Sequence, residues 1–149
     1  MKDLIFRGKS LDNGEWIVGG SILQLMNDGK PEAYIVGSGT LCVESHEEDT
    51  GNIVGIDACL FRKVDPKTVG QYIGLEDKNG APIFNGDILS ANLDEYNPED
   101  ETINFVKWSG FGWCSVQPGY DPDPISAFDM GIWTIVGNVH DNPELIERK

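Results

Sequence analysis

Basic residues are scarce in this chain. Its 149 residues include 11 Lys and Arg against 25 Asp and Glu, a formal net charge of −14. The shortage is sharper in the second half: residues 76–149 hold 4 bases and 14 acids, and between Lys78 and Arg148 the one base is Lys107. Gripping nucleic-acid phosphates takes clustered Lys and Arg. The sequence has no such cluster, which argues against direct nucleic-acid binding and against adhesion to an anionic membrane. Self-repulsion that keeps the chain soluble explains the acidity, and a negative face for a basic protein partner is the sharper version.

Long apolar runs are also missing. The longest, such as Ile132 to Val136, fall far short of the roughly 20 residues that span a bilayer. The opening Met1-Lys2-Asp3-Leu4-Ile5-Phe6-Arg7 lacks the apolar core of a signal peptide. The three cysteines, Cys42, Cys59 and Cys114, form no C-x-x-C pair, which suits a reducing compartment and small buried hydrophobes. The expectation is a soluble protein of the cytoplasm.

Catalytic motifs are missing too. Gly8-Lys9-Ser10 has the tail of a phosphate-binding loop, but Asp3 stands where the loop needs its first Gly. His46-Glu47-Glu48-Asp49 looks like a metal cluster, yet Thr50 breaks the H-E-x-x-H pattern and a solvated loop tip explains the acids. Asp121-Pro122-Asp123 starts like a calcium loop and lacks its third ligand and its Gly. A Cys114–His140 pair is one of six that three cysteines and two histidines allow, so it discriminates little. No catalytic, metal or binding residue is nominated, and no cofactor and no structural metal are expected.

What the sequence does have is turns. Asp12-Asn13-Gly14, Asn27-Asp28-Gly29, Asp77-Lys78-Asn79-Gly80, Asn85-Gly86-Asp87 and Ser109-Gly110-Phe111-Gly112 all tolerate positive φ. Between them lie runs rich in Ile, Val, Trp, Phe and Thr, among them Trp16–Leu25, Ile53–Val64, Thr102–Trp108 and Trp133–Val139. In Thr102–Trp108, Ile103 and Phe105 face one side and Asn104 the other. Asn79-Gly80 suits a type I′ hairpin turn. A helical period appears nowhere at useful length, so the fold class is all-β, or mostly β.

One helix signal closes the chain: Asn142 as cap, Pro143 at the first helical position, Glu144 at the positive end, with Leu145 and Ile146 pinned on the sheet. Residues 94–101 form an acidic loop in which Pro98 forbids a central strand. At least two of Trp108, Phe111 and Trp113 are read as core. The chain is expected to be a single domain over 1–149, with two β lobes, about 1–65 and 66–149, parted where Asp65-Pro66 interrupts the strands.

Three phrases carry a family resemblance. They are Asn13-Gly14-Glu15-Trp16-Ile17-Val18-Gly19; Val69-Gly70-Gln71-Tyr72-Ile73-Gly74-Leu75-Glu76-Asp77-Lys78-Asn79-Gly80 followed by Ile83-Phe84-Asn85-Gly86-Asp87-Ile88; and Ile135-Val136-Gly137-Asn138-Val139-His140-Asp141-Asn142-Pro143-Glu144-Leu145. In this order the chain resembles the YopX family of bacteriophage and prophage proteins, from about Ile5 to Ile146. Departures are mild: Asn85 stands where the family often has Glu, and Val139-His140-Asp141 where it often has an aliphatic-Tyr-Glu stretch. The resemblance implies a phage or prophage origin in a bacterial host, a β-rich fold with an SH3-like barrel, and oligomerisation. It implies no reaction.

The functional expectation is therefore an accessory protein, a protein-binding or structural module rather than an enzyme. Its partners would be further copies of itself and a host or phage protein. Two alternatives stand beside it: an acidic mimic of nucleic acid that occupies a host protein's basic surface, and a hydrolase or metal enzyme with an unrecognised site. The homo-oligomer follows from the sheet edges: Trp16–Leu25 carries no charge at all, so it is either central in a sheet or paired with a neighbouring subunit. A dimer is the commonest such arrangement.

Overall fold

A computed structural model describes residues 4–37, 45–46, 53–55, 61–93, 96–97, 101–125 and 129–147. The chain divides into two compact units, Met1–Gln71 and Tyr72–Lys149.

The first unit is built on β1 (Phe6–Lys9), β2 (Trp16–Asn27), β3 (Lys30–Gly37), the short β4 (Ser45–His46) and β5 (Ile53–Gly55), and β6 (Phe61–Val64). Among the described residues β4 pairs with β5 alone. β1 lies antiparallel to β2 with Phe6 opposite Gly19 and Lys9 opposite Trp16. β2 and β3 form a long hairpin from Ser21–Val36 to Asn27–Lys30, turned by Asp28 at φ 51° and Gly29 at φ 77°. Both values lie in the left-handed region, where Asp is one of the few tolerated side chains and Gly is free of penalty. β6 adds to the other side of β3, Ala33 opposite Val64 and Val36 opposite Phe61. Ala33, Ile35 and Val64 are fully buried, with Phe6, Ile17 and Val69 packed around them. The sharp end of β6 is made by Asp65, whose Oδ1 accepts the Lys67 N–H at 3.0 Å and opens a 3-10 turn over Pro66–Thr68. Thr68 returns the chain to β1: its Oγ1 accepts the Lys9 N–H at 2.8 Å. The first two residues of β7 (Gly70–Glu76) then pair with Arg7 and Phe6.

In the second unit the rest of β7 pairs with β8 (Pro82–Phe84). There follow β9 (Asp87–Ala91), β10 (Thr102–Trp108), β11 (Trp113–Val116), β12 (Asp123–Pro124), β13 (Thr134–Asn138) and the one-turn helix α1 (Glu144–Glu147). These strands form an antiparallel sheet in the order β12-β11-β10-β9-β13. β9 is buried along its whole length, as suits its central place. The core is Ile73, Ile83, Leu89, Ala91, Val106 and Trp133, with Leu75, Trp113, Ile125 and Ile135 against it. Burying each such side chain stabilises by about 1.5–3 kcal/mol. Gly86, at φ 90°, donates to the Val106 carbonyl and accepts from the Val139 N–H, both at 2.8 Å, so one left-handed residue ties the approach of β9 to β10 and to the end of β13.

The mostly β class holds, but no closed barrel forms among the described residues. Two local expectations are corrected. Of the three clustered aromatics, Phe111 is 100% and Trp108 54% exposed; Trp113 alone packs on the core, because Gly110 and Gly112 carry the turn out into solvent. Trp113 meets Trp108 edge-on across the strands at 5.0 Å. At the C-terminus Asn142 does not cap α1. Its Oδ1 accepts the Asn138 N–H at 3.3 Å, a contact that Gly137 permits because a Cβ there would overlap the Asn142 side chain. Leu145 and Ile146 are half-buried, on a helix that lies against β10.

Candidate functional site

The uncharged stretch of β2 is where the sequence and the structure meet most directly. Trp16–Gly19 pairs with β1, and of these residues Gly19 also has a partner on β3, Gly37. Beyond Gly19 the register to β3 slips by one residue, between Gly19 and Ser21. The slip has a steric cause: a Cβ on Gly19 would overlap the Val36 carbonyl oxygen, so only glycine lets the strands approach there. From Ser21 to Asn27 β2 pairs with β3 on one side and, among the described residues, with no strand on the other.

That free edge reads Ser21-Ile22-Leu23-Gln24-Leu25-Met26-Asn27, with no charge and no Pro. Leu23, Leu25 and Met26 are 42, 45 and 70% exposed. Edges are ordinarily blunted by charge, Pro or a bulge; Ser21–Asn27 has no charge and no Pro, and the register slip lies at its Gly19–Ser21 end. Leu23 and Leu25 share one face; Ile22, Gln24 and Met26 share the other, over Ile35, Ala33 and Pro31. A concavity of about 310 Å³ beside the edge is lined by Gln24, Leu25, Met26, Pro31, Glu32 and Pro66.

The ribbon is stiffened from its β3 side. Glu32 Oε1 accepts from Lys63 Nζ at 3.1 Å and from Asn27 Nδ2 at 3.3 Å, and its Oε2 accepts from the Tyr34 hydroxyl at 3.1 Å. The hydrogen bonds from Lys63, Asn27 and Tyr34 hold the Glu32 carboxyl below its ordinary range, and the same bond to Glu32 raises Lys63. Backbone partners and this network fix the ribbon's shape, and among the described residues no strand pairs with the Ser21–Asn27 edge of β2.

The residues with candidate chemistry are dispersed. Gly8-Lys9-Ser10 lies in β1 and the bridge after it, and a Cβ on Gly8 would come within 2.7 Å of Val64 Cγ2, so that glycine serves packing rather than phosphate. Cys114 is a buried free thiol within β11, and His140 is exposed in the turn after β13. Cys42, Cys59 and Glu47-Glu48-Asp49 lie outside the described residues; His46 falls in β4. Among the described residues no three His, Cys, Asp or Glu gather as a metal site. No helix among them is long and apolar enough to cross a membrane.

A family profile described as YopX protein matches residues 5–147, nearly the whole chain. The chain belongs to the YopX family. Its structure is similar to the crystal structure of protein EF1440 from Enterococcus faecalis, with a TM-score of 0.54 and 18% identity over 99% of this chain and 100% of that chain. At that identity the likeness is one of fold. No curated protein matches the sequence. YopX membership accounts for the three phrases read in the sequence, and the second of them builds two turns here: Asn79-Gly80 ahead of β8 and Gly86 ahead of β9.

Proposed function

We propose that this YopX-family chain is an accessory protein of phage or prophage type, acting in the bacterial cytoplasm as a structural or protein-binding module, and that it works as a symmetric homodimer joined along the Ser21–Asn27 edge of β2. The observation that carries the reading is the seven-residue uncharged edge with Leu23, Leu25 and Met26 exposed on it. Two copies each at −14 repel, so they meet at least cost where neither brings charge. An antiparallel edge paired with itself is isologous, the geometry a two-fold axis requires.

Light scattering coupled to size exclusion tests it. At tens of micromolar the expected mass is twice 16.4 kDa. Leu23→Lys with Leu25→Lys places like charges along both partners' edges and is expected to return the monomer mass with an unchanged β spectrum. Wild-type protein that elutes as a clean monomer overturns the dimer, and a double variant that stays dimeric moves the interface off this edge.

A further inference from the structure

The core-facing side of the β9–β12 sheet carries a polar row at one end. Leu89, Asn104 and Val106 lie on one face, since Asn104 stands opposite Leu89 and two residues from Val106. Ser115 stands opposite Val106, and Asp123 opposite Ser115, so both continue that face. Leu89 and Val106 are core; their neighbours in register are an amide, a hydroxyl and a carboxylate. Polar groups on an inward face are the informative kind.

These three side chains line one recess of about 330 Å³, at the lower end of small-molecule sites, with Leu93, Pro124, Ile125, Ile132 and Trp133 as its apolar wall. Asn104 Nδ2 donates to Ser115 Oγ at 2.6 Å. Asn104 Oδ1 is sealed from bulk solvent and accepts no hydrogen bond from the described residues. Leaving a buried acceptor unmet costs about 1–3 kcal/mol. Asp123 is exposed at the rim and has no ion-pair partner among the described residues. The recess therefore presents one accessible, negatively charged acceptor, Asp123, beside an indole and aliphatic surface.

We infer that this recess binds a small organic ammonium compound, its apolar body against Trp133 and Ile125 and its N–H groups donating to Asp123. Charge complementarity selects the class: an anion would meet Asp123 in a chain already at −14, and a neutral alcohol forms no ion pair with it. The site lies in the second unit and does not depend on the β2 edge.

Titration of the uniformly 15N-labelled full chain, followed by amide and indole shifts, tests this with three probes of one shape: phenethylammonium, 2-phenylethanol and phenylacetate. Phenethylammonium is expected to move the Trp133 indole and the Ser115 and Ile125 amides. It should bind about fivefold more tightly than the alcohol, the upper end for an exposed ion pair, and phenylacetate should bind weakest. Asp123→Asn, at an exposed position, should bring ammonium and alcohol to parity. A preference that survives Asp123→Asn reports only the long-range field of the acidic chain and overturns the assignment. So do equal affinities for all three probes, no binding of any, or shifts that map elsewhere. N-acetyl-lysine amide as a fourth probe separates a free amine from a partner's lysine: binding tighter than phenethylammonium overturns the small-molecule assignment.

Discussion

Asp77 offers the sharpest test of how the second unit is held together. Its carboxylate is 7% exposed and accepts three backbone N–H groups: Asn79 and Ala81 on Oδ1, both at 2.9 Å, and Ile135 on Oδ2 at 3.1 Å. The first two close the turn between β7 and β8. The third spans 58 residues to β13, beside a backbone bond from Lys78 N–H to the Trp133 carbonyl at 2.9 Å. Hydrogen bonds to a charged acceptor contribute about 1.5–3 kcal/mol each. Asn79 is exposed and water can replace its partner, so two bonds count; half-burial at Ala81 and Ile135 points to the lower end. Asp77→Ala should therefore cost about 3 kcal/mol. At a urea slope of about 1.5 kcal/mol per M, that lowers the midpoint by about 2 M. Asp77→Asn keeps one oxygen for the turn but turns an NH2 toward the Ile135 N–H, for about 1–2 kcal/mol.

The pH dependence supplies the control. Burial works to raise the Asp77 carboxyl, but the N–H groups of Ile135, Ala81 and Asn79, with Lys78 nearby, outweigh it and hold it below the ordinary carboxylate range. A group lowered on folding stabilises fully above its unfolded pKa of about 3.9 and loses that contribution as pH falls through its folded value. The gap between wild type and Asp77→Asn should thus be full at pH 7 and narrow below about pH 4. Urea unfolding followed by tryptophan fluorescence at both pH values reads it. A midpoint shift for Asp77→Ala of under a few tenths of a molar, or an Asn gap that does not change with pH, would refute the reasoning.

Gly19→Ala should cost at least about 2 kcal/mol, because its Cβ meets a carbonyl oxygen that cannot rotate away. Gly112→Ala, with nothing within 4 Å, should stay within about 0.5 kcal/mol; thermal melts of the pair compare them. Ile35, fully buried in the first unit's core, should lose about 1 kcal/mol on Ile35→Val and about 3 on Ile35→Ala, again by denaturant midpoint.

Turn chemistry was the most legible part of the sequence. Asp28-Gly29, Asn79-Gly80 and Gly86 mark turns because few residues other than Gly accept positive φ, and the structure uses it at Asp28, Gly29, Gly80 and Gly86. Asp65-Pro66 ends β6 for the reason the residues suggest, a cap followed by a residue with no N–H. The polar row was not legible. Alternation in β10 puts Ile103 and Phe105 opposite Asn104, and period alone does not say which face is inward. The register adds what period lacks: it puts Asn104 on one side with the core residues Leu89 and Val106, and Phe105 on the other with the buried Ile88. Nor does spacing along the chain bring Asn104, Ser115 and Asp123 into one row; that takes three strands and two turns. Phe111 was misjudged because an aromatic in a Gly-rich turn follows the turn, not its own hydrophobicity.

The β2–β3 hairpin is supported unevenly along its length, and that sets how it opens. From Ala33 to Val36 the ribbon is backed by β6; from Leu25–Asn27 and Lys30–Glu32 outward it has, among the described residues, two strands only, a state that is marginal in water. Amide protons near Asp28-Gly29 should therefore exchange through brief fraying from the tip. Those of Ala33 and Ile35 should wait for the whole unit to unfold. The hairpin behaves like a zip fastened at one end, with Glu32, bonded to Lys63, as its last closed tooth.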